Sequence, residues 1–316
     1  MKALITGIAG FAASHLADTL LGQGIEVCGL DLKGARLDNL AHIKRKISVF
    51  SCDIGDPNCV KKALKNVRPG MIFHLAAQSV PHESWSNPVD SLKVNILGTL
   101  NLLEAVKVLK LKSRIHISCS AECYGLVYPS EIPVTENQPF RPLSPYAVGK
   151  ASQDLLGYQY FKSYGMEIVR TRAFNHFGPR MSEKFAASSF ARQIALIEKG
   201  KQKQVIYVGN LEPVRDFSDV RDVTMAYWLS LKKGKSGEVY NVCSGKGNKV
   251  SEILHTLLKF SDKKIDIKID KSRLRPADVM ILVGDNSRFV KATGWKPKIS
   301  FNQSLNDILR YWREKV

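Results

Sequence analysis

The sequence predicts an α/β protein: a Rossmann-type, doubly wound parallel sheet followed by a smaller α/β C-terminal lobe. Three observations predict it. Apolar, strand-like runs alternate with amphipathic helical stretches through the first half of the chain. The first run opens directly into a glycine-rich turn, Gly7-Ile8-Ala9-Gly10-Phe11-Ala12-Ala13, and then a helix. With 316 residues, 44% of them hydrophobic, the chain is long and apolar enough to bury such a sheet on both faces.

Residues 2–6 read as the first strand and 11–22 as the first helix. Residues 26–30 and 47–52 give the second and third strands, 57–67 a helix with Pro57 at its start, and 71–74 the fourth strand. Residues 87–109 read as one long helix, because Leu92, Ile96, Leu100 and Leu103 fall on one stripe. Residues 114–118 give a fifth strand and 167–172 a sixth. Between them, 144–164 form a second long helix, capped by Ser144 with Pro145 next to it. After Phe174 the rhythm loosens, with helices expected at 185–199, 220–232, 250–259 and 303–314. The expected division is therefore 1–174 and 175–316, with some later segments returning to the first unit.

Several function classes fall away. No run of eighteen apolar residues exists, so no membrane span is expected. The six cysteines are scattered, without a C-x-x-C pair or a nearby histidine cluster, so free thiols in a reducing cytoplasm are expected and no metal site. The net charge of +18 and pI near 9.6 raise the question of nucleic acid. The lysines are spread along the chain, however, and no nucleic-acid-binding motif accompanies them. A positive field also draws in a diphosphate-bearing substrate.

The glycine turn carries the first chemistry. Gly7 permits the tight turn, Gly10 lets backbone approach a pyrophosphate, and Ala13 lets helix and strand pack closely, with Phe11 at the helix start. This makes residues 1–174 an NAD(P)-binding domain. Asp31 ends the second strand, where an acid takes both ribose hydroxyls and favours NAD. Lys33 and Arg36 follow closely and suit the 2′-phosphate of NADP, so both cofactors stay open. Asp53 and Ile54 follow the third strand at the adenine position. Leu75, Ala76, Ala77 and Gln78 follow the fourth, where small residues let the backbone pass the cofactor.

Tyr146 and Lys150 are i and i+4 on one helix face. A phenol exchanges a proton with a substrate oxygen when its pKa falls, and an ammonium one turn away lowers it by charge. The same lysine can hold the nicotinamide ribose. Ser120, at the end of the fifth strand, supplies a hydroxyl to polarise the reacting carbonyl, and Glu122 stands near the same carbon.

These motifs resemble the extended short-chain dehydrogenase/reductases that act on nucleotide sugars. The resemblance runs nearly end to end, and includes Leu75-Ala76-Ala77-Gln78-Ser79 and Asn95-Ile96-Leu97-Gly98-Thr99. Within that group the chain is most similar to the GDP-mannose 4,6-dehydratases and GDP-4-keto-6-deoxy-mannose reductases. The segments that carry this are Arg172-Ala173-Phe174-Asn175-His176, Val208-Gly209-Asn210-Leu211-Glu212, Arg215-Asp216-Phe217-Ser218-Asp219-Val220-Arg221-Asp222 and Arg275-Pro276-Ala277-Asp278-Val279.

The resemblance implies a nucleotide-sugar lobe in 175–316, with a GDP-linked substrate. It places Asn95 with the cofactor residues, and Ser79 and Gln193 with the substrate. It implies that Asn175 contacts the sugar diphosphate, that Arg215 and Arg275 clamp phosphates, and that Asp278 lies by the ribose or base. It implies a homodimer or homotetramer built through the helices at 87–109 and 144–164.

Two reactions remain. A dehydratase needs an acid/base carboxylate, and Glu122 holds that position. A reductase needs only hydride delivery to a C4 ketone and a proton from Tyr146. Phe11, the 215–222 wording, Gly284-Asp285-Asn286-Ser287 and Gln193 resemble the reductases, so reduction to GDP-D-rhamnose is the favoured expectation. Epimerisation is disfavoured, since Glu122 and Arg180 stand where the related epimerase-reductases use cysteine and histidine. A non-catalytic scaffold or RNA-binding member is the alternative of another class, opposed by the intact Ser120, Tyr146 and Lys150.

Overall fold

A computed structural model describes residues 1–274 and 279–316 of the chain. Five strands open the main sheet: β1 (Lys2–Thr6), β2 (Glu26–Asp31), β3 (Ile47–Ser51), β4 (Met71–His74) and β5 (Arg114–Ser120). The helices of this half are α1 (Phe11–Gly22), α2 (Pro57–Val67), α3 (Pro81–Ser86), α4 (Pro88–Leu92), α5 (Gly98–Val108) and α6 (Pro145–Tyr164). The second half supplies β6 (Ile168–Ala173), β7 (Asn175–Phe177), β8 (Val205–Val208), β9 (Val214–Asp219) and β10 (Val239–Val242). Then come β11 (Gly247–Lys249), β12 (Asp266–Ile269) and β13 (Ile281–Leu282). Its helices are α7 (Ala186–Glu198), α8 (Val220–Lys233), α9 (Val250–Leu258), α10 (Ser287–Thr293) and α11 (Phe301–Lys315).

The main sheet has seven parallel strands in the order β10-β6-β5-β4-β1-β2-β3. The order reverses between β1 and β4, and the crevice above a reversal point is where such sheets bind ligands. The central strands are buried on both faces. On one side Leu16, Leu20, Tyr227 and Leu231 of α1 and α8 pack on Ile5, Phe73 and Val169. On the other, residues of α2, α5 and α6 pack on Leu4, Ile72, Ile115 and Ile117. β10 joins this sheet although it lies beyond residue 174, so the chain leaves the sheet and comes back.

A separate apolar core joins α7, α9 and α11, with Phe190, Ile194, Leu254, Ile308 and Trp312 buried. Two small sheets sit there: β7 and β9 with β11 and β13, and β8 with β12. No described helix is long and apolar enough to cross a membrane.

The helix expected at 87–109 runs without a break from Pro88 to Val108, but it is not uniform: a π-type turn at Lys93–Leu97 separates α4 from α5. The reason is tertiary. Asn95, inside the π turn, spends its side chain on the Gln78 backbone, accepting from its N–H at 2.9 Å and donating to its carbonyl at 3.3 Å. Gly149 of α6 packs so close that a Cβ there would lie 2.9 Å from the Asn95 Cβ. A π turn shifts the helix register by one residue, which lets Asn95 serve the neighbouring loop.

Candidate active site

The cleft begins where β1 ends. Gly7 has φ +69°, and a Cβ there would lie 2.9 Å from the Ala76 Cα, so only glycine fits. Gly10 precedes α1 without any side-chain cap on the first-turn N–H groups. Gly7, Gly10 and Phe11 line a cleft of about 440 Å³. Uncapped amides at a helix start and a turn too tight for a Cβ suit a dinucleotide pyrophosphate. Asp31, Arg36, Leu75, Ala76 and Ala77 line the same cleft. The Asp31 carboxylate accepts from Ala9 N at 2.8 Å and Leu32 N at 2.9 Å, tying the end of β2 to the glycine turn. The Arg36 guanidinium is exposed and pairs with Asp38 at 2.6 Å.

Five of the residues expected at the cofactor are not part of this lining. Lys33 is exposed in the loop after β2. Asp53 caps its own turn, accepting from Gly55 N at 2.8 Å, and Ile54 is buried against Gly98. Gln78 and Asn95 bind each other instead and shape the loop after β4. Ser79, expected at the substrate, lines the cofactor cleft.

A buried polar chain fixes this loop from behind. Thr6 Oγ1 accepts from Leu75 N at 3.1 Å and Ala76 N at 3.0 Å, and bonds His74 Nδ1 at 2.9 Å. His74 Nε2 bonds Thr99 Oγ1 at 2.9 Å, and Gln153 of α6 donates to that hydroxyl at 2.7 Å. Burial lowers the His74 pKa to about 3, so the ring is neutral.

The catalytic helix is positioned by its start and its back. Ser144 accepts from Ala147 N at 3.1 Å, and Pro145 occupies the first helical position. Asp154 of α6 takes Arg170 at 2.5 Å and Arg172 at 2.8 Å, all three buried. This pins α6 to β6.

Ser120, Glu122, Tyr146 and Lys150 all line the cleft. The Ser120 hydroxyl accepts from Glu122 N at 3.2 Å and lines the same wall as the Tyr146 phenol. Lys150 Nζ donates to the Ser118 carbonyl at 2.8 Å. The expected lowering of the phenol pKa by Lys150 is not found. Burial pushes Tyr146 above its ordinary value, while the Ser120 hydroxyl pulls the other way. The ammonium carries the cost instead, since burial lowers Lys150 to about 8. The phenol thus holds its proton, ready to give it.

A second cavity, about 400 Å³, opens beside the cleft toward the second lobe. Asn175 and Arg215 line it, together with the cations Lys184 and Arg273 that the sequence reading missed. Glu122, Asn175 and His176 line both cavities, so they stand where the two meet. Gln193 does not line it. Its amide donates to Tyr207 O at 3.1 Å and accepts from Tyr207 N at 2.9 Å, so both ends are used in holding β8. Arg275 and Asp278 lie outside the described residues. Arg180 is tied to Asp18 at 2.6 Å and to His15 and the Asn39 carbonyl, which makes it a brace for α1. Among the described residues no group of three His, Cys, Asp or Glu is arranged to hold a metal.

A dinucleotide cleft with serine, tyrosine and lysine in its wall defines an NAD(P)-dependent enzyme of the extended short-chain dehydrogenase/reductase class. The family model described as GDP-mannose 4,6 dehydratase matches residues 4–308. The chain belongs to that family. It is 37% identical to the GDP-6-deoxy-D-mannose reductase of Pseudomonas aeruginosa over 248 residues, covering 78% of this chain and 82% of that one. It is 32% identical to the GDP-mannose 4,6-dehydratase of Yersinia enterocolitica, covering 98% and 92%. A solved structure of RMD from P. aeruginosa complexed with NADPH superposes with a TM-score of 0.86 at 32% identity, covering 100% and 99%.

Proposed function

We propose that the chain reduces the C4 ketone of GDP-4-keto-6-deoxy-D-mannose to the alcohol of GDP-D-rhamnose, at the expense of NAD(P)H. The observation that carries this reading is the convergence of Ser120, Tyr146 and Lys150 on the wall of the cofactor cleft, with a phenol that burial keeps protonated. The 37% identity to a reductase supports it.

The nicotinamide, when bound, supplies hydride to the C4 carbon. Gly7, Gly10 and Phe11 would hold its pyrophosphate, and Asp31 and Arg36 its adenosine. Ser120 hydrogen-bonds the ketone oxygen. Tyr146 gives that oxygen its proton, so carbonyl, hydride and proton become one alcohol. The phenolate left behind is stabilised by the Lys150 charge and regains its proton from solvent. Asn175 and Arg215 hold the diphosphate.

Glu122 favours one second reading. A carboxylate beside Ser120 is what a 4,6-dehydratase needs to remove the C5 proton. Incubation with GDP-mannose alone, then with the 4-keto sugar and NADPH, separates the two by product analysis. A reductase leaves GDP-mannose untouched and consumes NADPH with the keto sugar. A dehydratase makes the keto sugar from GDP-mannose without net cofactor use. Turnover in neither arm sinks both, and salt-sensitive RNA binding would then favour the scaffold alternative.

Pairing of two copies belongs to the same reading. Leu97, Val148, Leu155 and Tyr158 are exposed apolar residues on the π turn and α6. Sedimentation of wild type as a monomer would contradict it.

A further inference from the structure

Resting on that reading, we propose that Arg180 couples the two sites: through it, a dinucleotide in the cleft raises the affinity of the second cavity for the nucleotide sugar.

Arg180 lines neither cavity, so it acts through its neighbours. Its backbone has φ +72°, in the left-handed region that a residue with a side chain keeps only when its surroundings hold it there. The largely buried guanidinium supplies those contacts. One arm, Nη2, donates to Asp18 at 2.6 Å and to His15 Nδ1 at 2.7 Å. A guanidinium only donates, so His15 Nδ1 accepts, and the protonated Nε2 donates to the Pro179 carbonyl at 2.8 Å, next to Arg180 itself. Backbone and side chain are thus both tied to α1.

The other arm reaches the glycine turn. Nη1 donates to the Asn39 carbonyl at 3.1 Å and to the Ser14 hydroxyl at 3.3 Å. Each of these residues in turn holds a carbonyl of the turn. Asn39 Nδ2 donates to Ala9 at 3.1 Å, and Ser14 Oγ donates to Phe11 at 2.8 Å. Ala9 and Phe11 line the cofactor cleft. Toward the second lobe, the chain passes from Arg180 directly into Met181, which lines both cavities. The Met181 carbonyl accepts from the buried Ser188 hydroxyl at 2.6 Å, and Ser188 accepts from Trp312 at 2.8 Å. This fixes the first turn of α7, where Ala187 and Ser189 line the second cavity.

A continuous path therefore joins the two walls, with one side chain at its centre. A bound pyrophosphate fixes the glycine turn, and with it Ser14, Asn39 and Arg180. The segment from Met181 into α7 then has less freedom to lose when the nucleotide sugar arrives, which makes the two ligands cooperative.

The test measures GDP affinity by calorimetry with and without saturating NADPH, in wild type and in Arg180→Gln. GDP lacks the hexose, so contact between sugar and nicotinamide does not enter. Wild type should bind GDP about fivefold or more tighter with NADPH present, and Arg180→Gln should bring that ratio below about twofold. A merely structural loss weakens both titrations and leaves their ratio unchanged. A wild-type ratio near one, or a variant ratio that stays at the wild-type value, would overturn the assignment. If Arg180→Gln does not fold, Ser14→Ala combined with Asn39→Ala is read by the same two outcomes, since it keeps the Asp18 pair and cuts both links to the turn. Wild type that binds neither NADPH nor GDP would sink the functional reading itself, a result distinct from failure of the Arg180 assignment.

Discussion

Lys150 follows Tyr146 by one turn of α6, its Nζ 6.0 Å from the centre of the phenol ring and 2.8 Å from the Ser118 carbonyl oxygen. The ammonium is thus a fixed charge behind the proton donor, held by a backbone acceptor. Its pKa is lowered to about 8, while that of the phenol is raised. Lys150 is charged below about 8 and loses its charge above. The kcat/KM for ketone reduction, which reports the free enzyme, should therefore fall as pH rises through about 8. In Lys150→Arg the charge persists and that limb should vanish. A limb unchanged in the arginine variant would assign it to another group.

Glu122 distinguishes the two chemistries. Glu122→Gln keeps the side-chain size and removes the acid/base group. A reductase should retain activity within about threefold, since proton delivery belongs to Tyr146. A dehydratase should lose about 100-fold or more. Turnover of each substrate by the purified variant gives the answer.

Asp154 is the buried carboxylate between Arg170 and Arg172. Asp154→Asn leaves two guanidinium groups without their counter-charge, and one-sided removal of a buried pair costs about 3–5 kcal/mol. Urea denaturation should show the free energy of unfolding reduced by that amount. Since Asp154 pins the catalytic helix, reductase activity should fall along with stability. A loss under about 1 kcal/mol would mean water reaches the site.

Much of this was legible in the sequence because the signals are local. The strand, glycine turn and helix at residues 2–22 announce themselves by apolar runs and two glycines. Ser144 and Pro145 mark the start of the helix that carries Tyr146 and Lys150. What was illegible depends on distant contacts. The π turn at Lys93–Leu97 interrupts an unbroken apolar stripe, because Asn95 answers to Gln78 and Gly149. The chain Thr6–His74–Thr99–Gln153 joins four segments that no spacing rule connects. Gln193 was assigned by resemblance alone, and its amide turns out to be committed to β8. The phenol pKa was misjudged because charge was weighed and burial was not.

The most direct measurement is rapid mixing of NADPH-loaded protein with GDP-4-keto-6-deoxymannose, comparing wild type with Tyr146→Phe. The account predicts that the variant binds NADPH as wild type does, while loss of the reduced-nicotinamide signal slows by about 100-fold to 10,000-fold. Signal loss at the wild-type rate in the phenylalanine variant would contradict it.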